Sequence, residues 1–343
     1  MKLFFYISLI FFISKSLLSY ELFETNQHII KFQSKNIIED KKNKIIEIKV
    51  NDLKKIFETI LTKDNYKKIE KNIDITFTNK FILNIKIKDE KIINENYYSK
   101  IKINFNKNSI EEFLINNQFN YSDYKPKNFL LLIFEQDKIE NYFLSNKNSY
   151  YKFFKSNELE YKNNFLIPNL DYNDRYILNK INYKSDLNNK IQKLNIKYKT
   201  EYTVFITSNN INNIYHIKAF LFYKNNKFLI YEKKIDKLNY KKLFFDIYNN
   251  SFDKWKQINE INTSYTNTID CKIIINNIEE LKFVTNLLNS NKIIKNLELK
   301  SIRLNENIYK ITYFGKTIVF SKSLEKFRLK LMIRNNLCNV KII

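Results

Sequence analysis

The sequence predicts an α+β protein in which a signal peptide is followed by three small α/β sandwich modules, the last of them ferredoxin-like. Apolar residues recur at every second position in some segments and at spacings of three and four in others, as in strands and helices. Two polar stretches, residues 120–127 and 259–268, interrupt these patterns. We therefore expect a signal peptide at 1–19 and modules at 22–120, 127–260 and 265–343.

The N-terminus has the pattern of a secretory signal. Lys2 precedes a run from Leu3 to Ile13 that is apolar apart from Ser8, and Lys15 ends it. This run fits a signal core and is shorter than the roughly 20 residues that span a bilayer. An uncleaved anchor is the alternative, because no Ala-x-Ala cleavage site follows. We expect cleavage near residues 20–22, no transmembrane span afterwards, and a periplasmic or secreted protein.

The first module is expected to contain a strand, a helix, further strands and a last helix. Ser109 is expected to cap that last helix, because Ile110, Phe113 and Leu114 give it an apolar side. In chain order, the expected elements are strand 28–33, helix 40–62, strands 74–77, 81–87 and 101–105, and the helix after Ser109.

The second module is expected to begin with a central strand, because residues 129–134 are continuously apolar. Its other expected elements are strand 164–167, a helix marked by Leu187, Ile191 and Leu194, strands 202–207, 215–223 and 227–235, and a long helix ending near Ile258. Short helical patches are expected around 138–155.

The third module has the order β-α-β-β-α-β, which is typical of a ferredoxin-like sandwich. The expected elements are strand 269–275, helix 277–289, strands 296–304 and 308–314, helix 321–328, and a last strand at 329–334 or 337–343. Gly315 follows a strand directly, where a turn can need positive φ. A turn at Asn335-Asn336 could add a final hairpin.

Cys271 and Cys338 are expected to stay unpaired. In a ferredoxin-like sheet the last strand runs antiparallel to the first, which would leave the two cysteines roughly 13 Å apart along the sheet. If residues 329–334 were the neighbouring strand, Cys338 would lie two strand spacings of about 4.8 Å away. Both separations exceed the ~7 Å Cα limit for a disulfide.

The formal net charge is +23, with 59 Lys and Arg against 36 Asp and Glu. Two interpretations of this charge are open. It forms a basic surface for an anionic partner, or it reflects the codon bias of an AT-rich genome, which also explains the single Gly. Only four residues are Arg, the side chain that forks onto phosphate or guanine. A sequence-specific nucleic-acid partner is therefore not expected.

The single glycine excludes several kinds of catalytic site. A P-loop, a dinucleotide-binding fingerprint and a Gly-x-Ser-x-Gly elbow each need at least two glycines at fixed spacing. The only histidines, His28 and His216, fall in different modules, and there is no Cys-x-x-Cys pair. We assign no catalytic residue, no cofactor and no metal site, and enzymatic activity is not favoured.

Paired carboxylates remain possible. Asp171 and Asp174 follow a predicted strand, where they could form a ligand or metal loop or serve as the pair of a hydrolase. The structural alternative is that Asp171 or Asn173 caps the next helix while Asp174 pairs with Arg175.

Two further clusters have structural alternatives. Asp89, Glu90, Tyr97 and Tyr98 form either a site or the tip of a hairpin with cross-strand tyrosines. An aromatic stripe fits the protein core better than a platform for stacking bases; it consists of Phe244, Tyr248, Phe252 and Trp255.

Several segments resemble an exported proteobacterial family catalogued as domain of unknown function 2066. The resemblance lies in a strand from Lys80 to Lys91, a strand from Tyr98 to Phe105, a helix at 110–114, and Pro126 before the buried strand that ends at Ile133. Residues 168–174, the Tyr202 strand and the Trp255 helix are similar too. The family brings no established activity or catalytic residues.

Export, three small modules and missing catalytic motifs favour a non-enzymatic interaction or accessory protein of the cell envelope. Its partner would be an envelope protein or an envelope polymer. A carboxylate-dependent exported hydrolase and a binder of anionic polymer or membrane surface are the alternatives.

Overall fold

The structure is a computed structural model that describes residues 22–23, 25–124, 128–137, 140–143, 148–157, 164–179, 187–275, 277–303, 306–334 and 337–343. These residues form ten α-helices and three mixed or antiparallel sheets, the α+β fold that the sequence predicts. The expected signal peptide lies outside the described residues. The chain divides into two compact units: a first unit up to Tyr124 that also includes Asn259–Ile343, and a second unit, Lys125–Ile258.

The N-terminal part of the first unit is a three-stranded antiparallel sheet in the order β1-β3-β2. Its elements are β1 (His28–Gln33), α1 (Ile37–Ile60), α2 (Lys63–Ile69), α3 (Ile75–Asn79), β2 (Ile82–Ile93), β3 (Asn96–Phe105) and α4 (Lys107–Asn116). Helix α1 buries Leu53, Phe57 and Ile60, whose spacing places them on one side of the helix.

Two sequence expectations in this part are wrong. Residues 74–77 form no strand, because the Asp74 carboxylate accepts a hydrogen bond from the backbone N–H of Phe77 at 2.7 Å and starts helix α3. Ser109 does not cap α4. Asn106 does, and its side chain accepts from the Ser109 N–H at 3.3 Å.

The second unit is built on a sheet in the order β5-β4-β7-β8-β9, with β6 beside β4. Its elements are β4 (Phe129–Asp137), β5 (Glu140–Phe143), α5 (Ser149–Ser156), β6 (Phe165–Leu166), α6 (Tyr172–Asn179), α7 (Leu187–Tyr198), β7 (Tyr202–Ile211), β8 (Ile214–Tyr223), β9 (Asn226–Ile235) and α8 (Tyr240–Asn259). Residues 129–134 of β4 are all buried, as the continuous apolar run predicts.

The C-terminal part of the first unit keeps the β-α-β-β-α-β order and adds a strand. Its elements are β10 (Thr266–Ile274), α9 (Ile278–Ser290), β11 (Ile294–Arg303), β12 (Glu306–Phe314), α10 (Thr317–Lys326), β13 (Leu329–Arg334) and β14 (Leu337–Ile342). The sheet order is β11-β12-β10-β14-β13. Gly315, between β12 and α10, has the expected positive φ, 73°.

The expectation of two free cysteines is wrong. Strands β13 and β14 form an antiparallel hairpin, and β14 lies between β13 and β10, parallel to β10. This register places Cys271 opposite Cys338, with Cα atoms 4.4 Å apart, and the two form a disulfide. A ferredoxin-like sheet would instead have an antiparallel last strand, or β13, next to β10.

Candidate functional site

The free edge of β1 and one side of helix α1 enclose a groove in the first unit. A hollow of about 370 Å³ is lined by five consecutive residues of β1, 28–32, and by Lys44, Glu47, Ile48, Asn51 and Lys55 of α1. Lys44, Glu47, Asn51 and Lys55 are three or four positions apart and Ile48 lies next to Glu47, so these residues share one side of α1. A second hollow of about 300 Å³ shares Phe32, Lys44 and Glu47 and continues the groove past Gln33.

Only half of the backbone N–H and C=O groups of β1 face its neighbouring strand β3. Within the described residues β1 pairs only with β3. The Ser34 N–H donates to the carbonyl of Glu95, which the register places directly opposite, at 3.0 Å. Because bonded and non-bonded pairs alternate in antiparallel sheets, the N–H and C=O groups of Ile29, Lys31 and Gln33 point away from β3. These residues therefore offer three donors and three acceptors at the open edge.

A partly buried side-chain contact ties β1 to α1. The His28 Nε2 atom lies 2.9 and 3.0 Å from the two carboxylate oxygens of Asp52. Asp52 is only 3% exposed, whereas the His28 side chain is 28% exposed and lines the groove. The pair fixes the distance between strand and helix, so the groove is built into the fold.

The charged residues that line the two hollows are three lysines, Lys31, Lys44 and Lys55, and two carboxylates, Asp40 and Glu47. Lys31 and Lys55 are exposed, while Lys44 pairs with Glu47 at 3.0 Å. An open strand edge beside a helix is the arrangement that proteins use to bind an extended peptide as an added strand. Backbone hydrogen bonds then supply affinity, and the lysines favour acidic side chains.

The side chains of Asp171 and Asp174 form a network of hydrogen bonds and ion pairs in the second unit. Asp171 accepts from the Asp174 N–H at 2.9 Å and caps α6, as the structural alternative expects. Asp174 pairs with Lys197 at 2.7 Å and does not pair with Arg175, whose Nε donates to the Leu170 carbonyl at 2.8 Å. That part of the expectation is wrong.

Lys197 bridges the two carboxylates, because its ammonium group also lies 2.5 Å from Asp171. Its hydrogen bond holds the pKa of the Asp171 carboxyl below its usual range. Asp174 is fully buried, and it also accepts from the Leu170 N–H at 3.0 Å and from the Tyr198 hydroxyl. Its oxygens are occupied by fixed donors, so the geometry favours a structural role over that of a hydrolase pair.

The cluster at residues 89–98 is the hairpin that the structural alternative describes. The Glu90 carboxylate accepts from the Tyr97 hydroxyl at 2.8 Å and from Lys41 at 2.5 Å. Those bonds hold the pKa of Glu90 below its usual range, Lys41 first and Tyr97 second. Asp89 pairs with Lys100 at 2.7 Å, and Tyr98 lies on the opposite side of β3 from the buried Tyr97.

The aromatic stripe and the second histidine add no site. Phe244 and Trp255 are buried in the second unit, and Phe252 packs edge-on against Phe129 at 5.1 Å between ring centroids. His216 lies on β8. In the described part of the chain, no group of three or more His, Cys, Asp and Glu side chains could hold a metal ion. No described helix combines the length and apolar character of a membrane span.

Sequence reasoning missed a buried charge cluster in the first unit: Lys107, Glu111, Asp123 and Lys326. Lys107 lies 3.6 Å from Glu111 within α4, and Lys326 of α10 lies 2.5 Å from Asp123. Glu111 is 4% and Asp123 7% exposed. Glu111 falls in the helix predicted after Ser109 and Asp123 in the polar stretch 120–127, and no sequence pattern links the two.

The pKa values of the two carboxyls in this cluster are shifted in opposite directions. Burial raises the pKa of Glu111 to about 7, against the pull of Lys107. Burial also acts to raise the pKa of Asp123, but Lys326 and Lys107 outweigh it and the pKa is lowered. Burial lowers the pKa of Lys326. The charges of α4, of Asp123 and of Lys326 on α10 therefore act on one another, and their balance changes near neutral pH.

No family model matches the chain, and a search of curated proteins gives no match. Among solved structures, the LpoB C-terminal domain from Salmonella enterica is similar, with 12% sequence identity and a TM-score of 0.23. The match covers 32% of this chain and 82% of that one. At this score the likeness supports no conclusion about fold or function.

Proposed function

We propose that this protein is exported and works without catalysis, as an interaction protein of the cell envelope that binds an acidic, extended segment of a partner protein along β1. The observation that carries the proposal is the groove between β1 and α1. It combines an open strand edge, a helix wall and a rim with more lysines than carboxylates.

Export to the periplasm or beyond is supported by the Cys271–Cys338 disulfide. Both cysteines are buried, at 0% and 2% exposure, so the bond is part of the core. Disulfides persist in oxidising compartments and are rare in the reducing cytosol. The signal-peptide pattern of residues 1–19 points the same way. Membership of the family of unknown function 2066 remains a prediction.

Strand addition can be tested at Lys31, because its N–H is at the open edge. Lys31→Pro removes that donor without removing a bond to β3, and proline is tolerated on edge strands. Lys31→Gln is the matched control, because it removes the same charge and keeps the N–H. Both variants and the native protein would be used to capture partners from solubilised envelope fractions, with a photo-cross-linking residue in place of Asn51 on the groove wall.

We expect one cross-linked envelope protein whose capture falls about tenfold in Lys31→Pro, since a lost hydrogen bond is worth roughly 0.5–1.5 kcal/mol and the ring adds a clash. Lys31→Gln should stay within a few-fold of the native protein. Equal capture by Lys31→Pro would contradict strand addition. Turnover of an envelope substrate by the purified protein, lost in Asp174→Asn, would instead support the hydrolase alternative.

A further inference from the structure

We infer that the outer face of the β1-β3-β2 sheet docks onto a membrane surface that carries anionic phospholipid headgroups. This goes beyond the proposed function and uses the face of the sheet, whereas partner binding uses the edge of β1; Ile29 and Lys31 lie where the two surfaces meet. Alternation in β3 defines the face: Tyr97, Ser99 and Ile101 are buried, so Tyr98, Lys100 and Lys102 point outward.

The outward positions of the neighbouring strands are lysines as well. Lys86 lies opposite Lys102, Lys88 opposite Lys100, and Lys91 opposite Tyr98. On the other side, Lys31 of β1 also lies opposite Tyr98. The face therefore carries six lysines: Lys31, Lys86, Lys88, Lys91, Lys100 and Lys102.

Two pairs of lysines lie directly opposite one another on this face, Lys86 with Lys102 and Lys88 with Lys100. On the face itself Asp89 pairs with Lys100 at 2.7 Å, while Glu90 is bonded to Lys41 and Tyr97 on the inner side. Codon bias accounts for many lysines but not for their placement opposite each other. An anionic surface would meet both pairs of ammonium groups at once.

The layout favours a planar partner over a linear polymer. The lysines occupy three strands and three successive rows, so the charge spreads in two dimensions. Ile29 points outward, opposite Lys100, and is 65% exposed. An exposed apolar side chain and a tyrosine among lysines fit the headgroup boundary, where lysine stems bury and their ammonium groups reach phosphate. The same apolar side chain has no role in binding a soluble polyanion.

The test is sedimentation of the purified mature protein with vesicles of phosphatidylcholine alone or mixed equally with phosphatidylglycerol. The test variant is Lys86→Gln/Lys88→Gln/Lys91→Gln, three exposed positions on β2. The control is Lys234→Gln/Lys237→Gln/Lys242→Gln, three exposed lysines of the second unit, which lowers the net charge equally.

We expect binding only to the phosphatidylglycerol vesicles, and a loss of roughly fivefold per lysine, about 100-fold in all, in the β2 variant. The control should lose less than about fivefold. An equal loss in the control would show that net charge alone acts and overturn the inference. The inference would also be overturned if the protein bound neither kind of vesicle but bound soluble polyphosphate, and if the β2 variant weakened that binding. Hydrogen exchange of β3 amides confirms that the β2 variant keeps the sheet.

Discussion

Replacing Glu111 with glutamine is expected to stabilise the first unit at pH 8 and to change little at pH 4.5. Burial raises the pKa of Glu111 from 4.5 to about 7, so the folded protein keeps a proton that the unfolded chain loses between these values. Stability from this group is complete below pH 4.5 and is lost as pH rises to about 7. At about 1.4 kcal/mol per pH unit, the loss is slightly more than about 3 kcal/mol.

Glutamine resembles the neutral carboxyl in shape and cannot ionise, so Glu111→Gln removes this pH dependence. We expect the variant to match the native protein within about 1 kcal/mol at pH 4.5 and to exceed it by about 2–3 kcal/mol at pH 8. Hydrogen exchange of the α4 amides, compared between variant and native protein at the same pH, measures the difference. Fluorescence of Trp255, the single tryptophan and buried in the second unit, is the internal control.

Asp123→Asn is the matched variant of opposite sign. Lys326 and Lys107 hold the pKa of Asp123 down despite its burial, so its contribution is present above pH 3.8 and is lost as pH falls through the folded pKa. This variant should therefore destabilise the first unit at pH 8 and less so in strong acid. A difference between Glu111→Gln and the native protein that stays the same at pH 4.5 and pH 8 would refute the reasoning.

Three other variants test the fold. Replacing Cys271 and Cys338 with alanine should cost about 2–4 kcal/mol, because the bond closes a sequence separation of 67 residues; thiol titration of the denatured, unreduced native protein should find no free thiol. Gly315→Ala should cost at least about 1 kcal/mol in thermal unfolding, since φ is 73° and the new Cβ would lie 2.9 Å from the Asn262 nitrogen. Asp174→Ala should lower the free energy of unfolding by about 2–3 kcal/mol, because the Leu170 N–H and the Tyr198 hydroxyl lose their acceptor. Urea unfolding followed by Trp255 fluorescence measures this, and an unchanged midpoint would contradict the structural role of Asp174.

The local elements could be predicted because each depends on the period of apolar residues. Strand β1 and helix α1 appear where alternation and the three-four spacing place them. The wrong predictions come from helix caps, which the period of apolar residues does not reveal. Asp74 supplies a cap that turns an apolar stretch into a helix, and Asn106 caps α4 in place of Ser109.

The candidate site was less predictable. His28 and Asp52 are 24 residues apart, and no motif joins them; their contact exists only once β1 lies against α1. Lys197 lies 23 residues after Asp174, so the sequence-adjacent Arg175 looked the better partner. Short-range charge patterns thus indicated which residues were polar and near a turn, but not which partner each would meet.

The sequence by itself determined the α+β class, most of the helices and strands, the absence of glycine-dependent motifs and the excess of lysine, because these follow from residue identity and short spacings. Only the tertiary structure decided which strands are neighbours. Inserting β14 beside β10 brings Cys271 to Cys338, and pairing β2 with β3 sets lysine opposite lysine on one face. Strand order and register are decided by long-range packing of whole elements, which no local pattern contains.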